Sequence, residues 1–529
     1  MIRPAPRPPR LTGRAGRALA GCLAAAALLT ACTSGTDAGG RADASRPAPG
    51  PGTLRVLASS ELTDMAPVLD RVREETGLTV ELTPLGTLDA VDLLAEGRAD
   101  GAYDAVWLAS NAPLRLRPEA AAKVVSETPV MTSPVAVGVR PDTVQALGWR
   151  PGEVTWAEIE RAVGDGRLTY GMTDPARSHS GFATLVSVAS ALSGAQSALT
   201  DADVRKAAPR LREFFAGQRL TSGSSGWLAT AYRRRGTVDA LLNYESVLHG
   251  IPGLTVIRPR DGVVTADYPL SSLASASATR RADVRRLAEA LRTPAVQREI
   301  TRLTLRRPVV PSVAPAPGLD TGRRRELPAP GSRSVAEGLI DAYENDLRRP
   351  SRTVYVLDTS GSMAGDRLRR LKRALTDLTG DFRDREEVTL MPFGSAVKRV
   401  STHVVDPADP RSGQAGIRRE TGRLTAEGDT AVYTSLQKAY DHLGGDRDAF
   451  TSIVLMTDGE NTAGTDAAGF DRFYHSLPED RREIPVFPIL FGDSDHAELS
   501  HIAELTGGRL FDARDGSLDG AFEEIRGYQ

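Results

Sequence analysis

Short apolar, β-branched runs that alternate with amphipathic helical stretches constrain this chain more than any other feature. Over residues 54–108 the order is strand (54–58, LRVLA), helix (62–75), strand (78–82, LTVEL), helix (88–99) and strand (103–108, YDAVWL). Strands separated by helices pair in parallel through crossovers, so the fold class is α/β. The alternation stops between residues 307 and 333. There the Pro-rich PVVPSVAPAPGLDTGRRRELPAPGS has no period and reads as a semi-extended linker or a segment packed along the surface. A capping box at Ser334 and Glu337 then opens a helix with Ala336, Leu339, Ile340, Tyr343 and Leu347 on one face. It leads into a second alternating block. Strand 353–357 (TVYVL) is followed by a helix bearing Leu368, Leu371, Leu375 and Leu378, and by strands at 388–393 and 397–405. Pro392 and Gly394-Ser395 suggest an edge or a hairpin there. A helix at 431–443, an apolar strand at 452–456 and helices near Phe470 and at 497–505 come next, with strands at 484–490 and 509–511 and a final helix. This second block reads as a doubly wound domain.

At 529 residues the chain exceeds one ordinary core, and a net charge of −2 gives no electrostatic reason to bind nucleic acid. Its N-terminus carries more information. Arg3, Arg7, Arg10 and Arg14 precede an Ala/Leu-rich run over 18–31, the layout of a secretory signal peptide and too short to span a bilayer permanently. The run ends Leu29-Thr30-Ala31-Cys32, which resembles the lipobox of bacterial lipoproteins. That resemblance implies that Cys32 becomes the lipid-bearing first residue, with the protein held on the extracytoplasmic face of the cell membrane. A plain signal peptide with an incidental Cys is the alternative. Cys22 and Cys32 are the only cysteines, so the folded part has no disulfide. The expected organisation is a leader at 1–31, a small-residue Pro/Gly tether at 32–52, a first module at 53–306, the linker at 307–334 and a second module at 335–529.

The first module resembles the bacterial extracellular solute-binding proteins of the two-lobed, hinged type II kind. The resemblance rests on residues 54–61 (LRVLASSE), 103–111 (YDAVWLASN), 134–140 (PVAVGVR), 173–182 (TDPARSHSGF) and 238–246 (VDALLNYES), with a helix pair near 282–300. It implies a small polar solute. Loops at strand ends and helix N-termini offer N–H groups and hydroxyls, so the candidate contacts are Ser59, Ser60, Ser110, Asn111, Asp174, Ser178, Ser180, Tyr244 and Glu245. Capping or turn roles explain any single one equally well. Where oxyanion-binding members carry a Ser-rich turn, this chain has Gly86-Thr87-Leu88-Asp89, and the acidic residue disfavours an anion. Trp107 and Trp227 are expected to pack in the core rather than to stack a sugar.

In the second module, Asp358-Thr359-Ser360-Gly361-Ser362 follows the apolar strand 353–357. Side-chain oxygens at alternate positions can converge on a hard cation, although a Ser/Gly turn with an Asp capping the next helix has the same residue types. Thr430 precedes a helix, and Asp458 ends the most apolar strand. In the common doubly wound order the first and fourth strands are neighbours, which brings Asp358 and Asp458 together. Residues 352–529 thereby resemble a von Willebrand factor type A domain, with Asp358, Ser360, Ser362, Thr430 and Asp458 in the order of its metal-ion-dependent adhesion site. By that resemblance Ser360, Ser362 and Thr430 contact Mg²⁺ or Mn²⁺, Asp358 and Asp458 act through hydrogen bonds and water, and a protein partner's Asp or Glu completes the coordination.

An enzyme is not expected. His496 and His501 in HAELSH miss the metalloprotease spacing and read as solvated helix positions, and no nucleophile elbow or phosphate loop is present. The leading expectation is a surface lipoprotein that binds a protein partner. The alternatives are a transport receptor whose second module docks a partner, and an assembly factor acting with a cytoplasmic ATPase, which conflicts with the lipobox.

Overall fold

The computed structural model describes residues 52–236, 238–322, 325–380, 386–406, 408–444, 449–490, 496–513 and 525. The leader, Cys32, nearly all of the tether and the expected final helix lie outside the described residues.

Two α/β lobes form the first module. In the first, strands β1 (Thr53–Ser59), β2 (Thr79–Leu85) and β3 (Ala105–Trp107) are parallel. β4 (Val124–Pro129) and β11 (Pro269–Leu273) complete the order β2-β1-β3-β11-β4, with β11 antiparallel to its neighbours. Leu54, Val56 and Ala58 of β1 enter one apolar cluster while Leu57 enters another. Burial on both faces is why this strand is continuously apolar. The second lobe is built on β5 (Met131–Val139), with β6 (Tyr170–Thr173), β7 (Gln218–Ser222), β8 (Ala240–Tyr244), β9 (Thr255–Ile257) and β10 (Thr265–Ala266).

The chain crosses between the lobes at Val130, at 267–268 and before β12 (Arg307–Pro308), which pairs with β5. Tyr268 (φ 42°) and Leu305 (φ 56°) are the non-glycine residues with left-handed backbone among the described residues, and both stand at crossings. Side chains disfavour that conformation, and such residues persist where the surrounding structure over-determines them.

The Pro-rich segment packs on both lobes, burying Val313, Ala316, Leu319 and Leu327, with Ala316 N–H donating to Thr301 Oγ1 at 2.9 Å in the helix that packs on the first lobe and Leu327 N–H donating to the Val263 carbonyl of the second at 2.9 Å. The helix that follows, Arg333–Ala342, is capped by Ser332 rather than by Ser334. Its apolar face meets the second lobe: the Tyr343 ring packs on Phe215 at 5.2 Å, and its hydroxyl donates to Gln218 Oε1 at 3.1 Å.

The C-terminal sheet has the order β15-β14-β13-β16-β17-β18. Its strands are β13 (Ser351–Asp358), β14 (Glu386–Phe393), β15 (Ser401–Val405), β16 (Phe450–Thr457), β17 (Val486–Leu490) and β18 (Phe511–Asp512). All are parallel except β15, so β14, which carries Pro392 within it, and β15 form a hairpin through residues 394–400 whose second strand is the edge. Tyr355, Leu357, Val454 and Met456 face helix Asp366–Gly380, and Val354, Val356, Ile453 and Leu455 face helices Val432–His442 and Ala467–Ser476. Helix Pro410–Gly422 was not expected. Its sequence lacks an apolar period, and Ile417 is the large apolar side chain it buries.

Candidate metal centre and interlobe cleft

β13 and β16 are adjacent and parallel with Leu357 opposite Met456, so Asp358 and Asp458 emerge together at the carboxyl end of the sheet. The loop after β13 is pinned on both sides. Thr359 donates its N–H and hydroxyl to the Phe393 carbonyl at 2.8 and 2.7 Å, and Gly361 N–H donates to the Gly428 carbonyl at 2.8 Å. Gly428 has φ +86°, a conformation that L side chains rarely adopt, and it turns the next loop so that Thr430 arrives beside Asp458.

The five residues lie close together at this end of the sheet. Asp358, fully buried, accepts the Ser360 N–H at 2.8 Å and the Thr457 hydroxyl at 2.6 Å. Burial pushes its carboxyl above the usual range, and those two donors oppose the rise. Ser362 Oγ bridges Ser360 Oγ (3.0 Å) and Asp458 Oδ1 (2.9 Å). Thr430 Oγ1 and Ser362 Oγ lie 3.6 and 3.7 Å from the point a Cβ on Gly459 would occupy, so both hydroxyls line one small hollow. Among the described residues no three His, Cys, Asp or Glu side chains form a metal cluster. The oxygen donors here are hydroxyls with two flanking carboxylates, a set that fits Mg²⁺ or Mn²⁺.

Sequence reasoning missed three members of this site. Arg367 Nη1 donates to Asp458 Oδ2 at 2.6 Å, Thr457 orients Asp358, and Thr462 Oγ1 accepts the Thr430 N–H at 2.9 Å. The Asp-Gly-Glu-Asn-Thr run after β16 was the available signal for Thr462.

The residues expected to contact a solute divide differently. Ser59 Oγ pairs with Thr87 Oγ1 at 2.7 Å and accepts the Ala109 N–H, while Ser60 begins a 3₁₀ turn. Ser110 caps Ala112 N–H at 3.2 Å, and Asn111 donates to Ser271 Oγ at 2.9 Å. Asp174 accepts the Ala176 N–H, and Ser180 Oγ joins Thr173, Ser178 and Ser225 in a buried hydroxyl cluster. Tyr244 hydroxyl meets His179 Nδ1 at 2.9 Å. Burial holds the His179 imidazole down to about 4. Glu245 corrects the expectation: it is buried and held by both forks of Arg307 at 2.7 and 2.8 Å, with Arg258 at 3.4 Å, so it closes an internal ion pair. Trp227 is a second correction. It is half-buried beneath the Arg509 guanidinium, 3.7 Å from its ring centre, whereas Trp107 is fully buried with Nε1 on the Tyr268 carbonyl. His496 and His501 are exposed helix positions, as expected, with His501 Nε2 on Asp471 at 2.9 Å.

The lobes themselves are in contact. Leu88 N–H, in the first turn of helix Thr87–Ala95, meets the Arg177 carbonyl of the other lobe at 3.2 Å, and a Cβ on Gly86 would lie 2.5 Å from that oxygen. Asp89, the residue that breaks the oxyanion pattern, stands 3.9 Å from the Arg177 guanidinium. Beside this contact the fully buried Arg306 grips Asp64 with two bonds of 2.7 and 2.8 Å, donates to the Glu61 carbonyl and lies 5.0 Å above the Tyr268 ring. Arg306 therefore ties the last crossing to the first lobe and Arg307 ties it to the second.

Comparison with known proteins agrees with this division. Residues 54–302 match the family described as bacterial extracellular solute-binding protein, and residues 353–460 match the von Willebrand factor type A domain. The chain thus joins a solute-binding-like module to a von Willebrand factor type A domain. Among curated relatives it is 33% identical over 124 residues to the uncharacterized protein sll0103 of Synechocystis, covering 23% of this chain and 28% of that protein. It is 27% identical over 177 residues to inter-alpha-trypsin inhibitor heavy chain H4 of Sus scrofa, covering 32% of this chain and 19% of that one. The chain therefore spans under a third of either relative. Solved structures similar to it include the periplasmic binding protein AfuA of Actinobacillus pleuropneumoniae, at 11% identity and TM-score 0.46, covering 56% of this chain and 99% of that one. A von Willebrand factor type A protein of Catenulispora acidiphila is similar at 23% identity and TM-score 0.30, covering 34% and 42%.

Proposed function

We propose that this protein is a non-catalytic, membrane-anchored surface lipoprotein whose C-terminal domain binds a protein partner through a divalent metal. Ser360, Ser362 and Thr430 hold Mg²⁺ or Mn²⁺, and Asp358 and Asp458 orient the hydroxyls and water around it. The ion supplies an electropositive coordination position for a partner's Asp or Glu carboxylate, because neutral hydroxyl ligands leave its charge under-compensated. The hollow above Gly459, lined by two hydroxyls and bordered by Asp458, is the observation that carries this reading. Mg²⁺ is expected to raise the melting temperature of the full chain and Asp358→Ala to remove the rise; an equal rise in the variant refutes the site.

The anchor rests on Leu29-Thr30-Ala31-Cys32. Among the described residues no helix is long and apolar enough to cross a membrane. Fractionation with and without Cys32→Ser tests the anchor, and membrane retention of the variant counts against it.

A second reading, a substrate-binding receptor of a transport system, is favoured by the left-handed Tyr268 and Leu305 at two lobe crossings, which suit a hinge. A small polar solute would then stabilise the chain in a thermal-shift screen. A broad screen without a hit leaves the module a structural one, in keeping with the internal pairing of Glu245, Arg306 and Ser180.

A further inference from the structure

The contact between the two lobes is prepared from both sides. On the first lobe, helix Thr87–Ala95 opens at Gly86, which has no side chain to cap it, so its first N–H groups need partners from elsewhere. The Arg177 carbonyl of the second lobe accepts one of them, Leu88 N–H at 3.2 Å, and so takes the part of a capping oxygen. The receiving end is held in place: Thr87 Oγ1 pairs with Ser59 Oγ at 2.7 Å, and Ser59 Oγ accepts the Ala109 N–H at 2.8 Å.

The offering end is held as well. Residues 174–177 form a turn in which Asp174 accepts the Ala176 N–H through Oδ1 at 2.8 Å and the Ser178 N–H through its carbonyl at 2.9 Å. Helix His179–Ser193 starts hard against this turn: a Cβ on Gly181 would lie 2.3 Å from the Thr173 carbonyl oxygen and 2.9 Å from the Asp174 carbonyl carbon. Charge adds to the match, with the Arg177 guanidinium 3.9 Å from Asp89 across the lobes and 3.9 Å from Asp174 beside it. A preset oxygen aimed at the N–H groups of a helix start is what a polar solute offers in such a place. Here the chain supplies that oxygen itself.

We propose that the turn over 174–177 is an internal ligand of the first lobe, which closes the lobes on each other without a solute and must be displaced before one enters the cleft at this point. The closure depends on the contact alone and not on the receptor reading, so a solute screen without a hit leaves it standing.

Paired spin labels measure the closure. In the full chain with Cys22→Ser and Cys32→Ser, which remove its only cysteines, Glu96→Cys on the first lobe and Arg205→Cys on the second place one label on each lobe at exposed positions. Without added solute, the pulsed electron resonance distance between them is expected to form a single narrow population. Gly86→Ala sets a Cβ 2.5 Å from the Arg177 carbonyl oxygen, in a backbone conformation (φ −62°, ψ 146°) that alanine adopts freely, so it acts by pushing on the other lobe. Asp89→Arg, at a part-exposed position, sets like charge against Arg177. Both are expected to lengthen and broaden the distance while far-UV circular dichroism stays that of the parent. Gly86→Ala is also expected to speed exchange of the Leu88 amide by about fivefold or more, the factor that one lost cap carries. Gly226→Ala, at the start of helix Ser225–Arg235 with nothing within 4 Å of its Cβ, is the matched control and is expected to leave the distance as in the parent. An unchanged distance in either contact variant overturns the proposal, as does a parent that is itself a broad mixture or an equal lengthening by Gly226→Ala.

Discussion

Replacing Arg306 by Met tests whether the buried guanidinium holds the lobes together. Met preserves much of the stem volume beside Tyr268 and removes the charge. Two bonds to Asp64 and one to the Glu61 carbonyl disappear, and the Glu61 side chain, 8% exposed, keeps its burial without a neighbouring cation. Breaking a buried pair from one side costs about 3–5 kcal/mol. Asp64 retains 45% of its side-chain exposure and can rehydrate, which favours the lower figure, about 3 kcal/mol. For a unit of this size that corresponds to a fall of roughly 6–12 °C in melting temperature. The deficit also depends on pH. Burial raises the Glu61 carboxyl above its ordinary range, and Arg306 is the largest influence opposing the rise. Without Arg306 the folded state holds the Glu61 proton still more tightly than the unfolded chain does, so stability falls as pH rises through the folded value. Circular-dichroism melts of the full chain at pH 5 and pH 8, variant against parent, should show the larger deficit at pH 8. A variant as stable as the parent refutes the clasp, and a deficit that is larger at pH 5 refutes the assignment to Glu61.

Other expectations are more compact. His179, held down to about 4 from 6.5 by burial, binds its proton more readily in the unfolded chain. The resulting stability is complete above about pH 6.5 and is lost as pH falls toward 4; His179→Asn should flatten the melting profile over that window, and an unchanged slope rejects the assignment. Arg367→Gln frees Asp458 from its guanidinium and should tighten Mg²⁺ binding several-fold by calorimetry, whereas weaker binding would make Arg367 a support of the site rather than a competitor for it. Arg307→Met should destabilise the first module by about 3 kcal/mol, because it removes both short bonds to the buried Glu245 carboxylate and leaves it only Arg258 at 3.4 Å, and a melt matching the parent would show that Arg258 alone satisfies Glu245.

The C-terminal centre was legible because its residues sit where periodicity changes. Asp358 and Asp458 each stand at the end of a strand with a long apolar run, and the common winding order makes those strands neighbours. Arg367 was not legible, since an arginine in the first turn of an amphipathic helix resembles any solvated position until the loop folds back over it. The interlobe residues were harder for a related reason. Ser180 and Glu245 have the residue types of ligand contacts, but their partners, Ser225 and Arg307, lie 45 and 62 positions away. Only the packed lobes show that these polar groups satisfy one another.

The amino-acid sequence by itself determined the two α/β modules, and it pointed to oxygen-bearing residues just beyond β13 and β16 and, in Thr430, before a helix. Periods of hydrophobicity and abrupt strand ends are local properties, and they survive in one dimension. Tertiary structure alone decided that the helix before β13 packs on the second lobe, that Trp227 lies under Arg509, and that Arg306 and Arg307 join opposite lobes. Each of these is a pairing between distant segments, set by which surfaces meet once the apolar faces are buried.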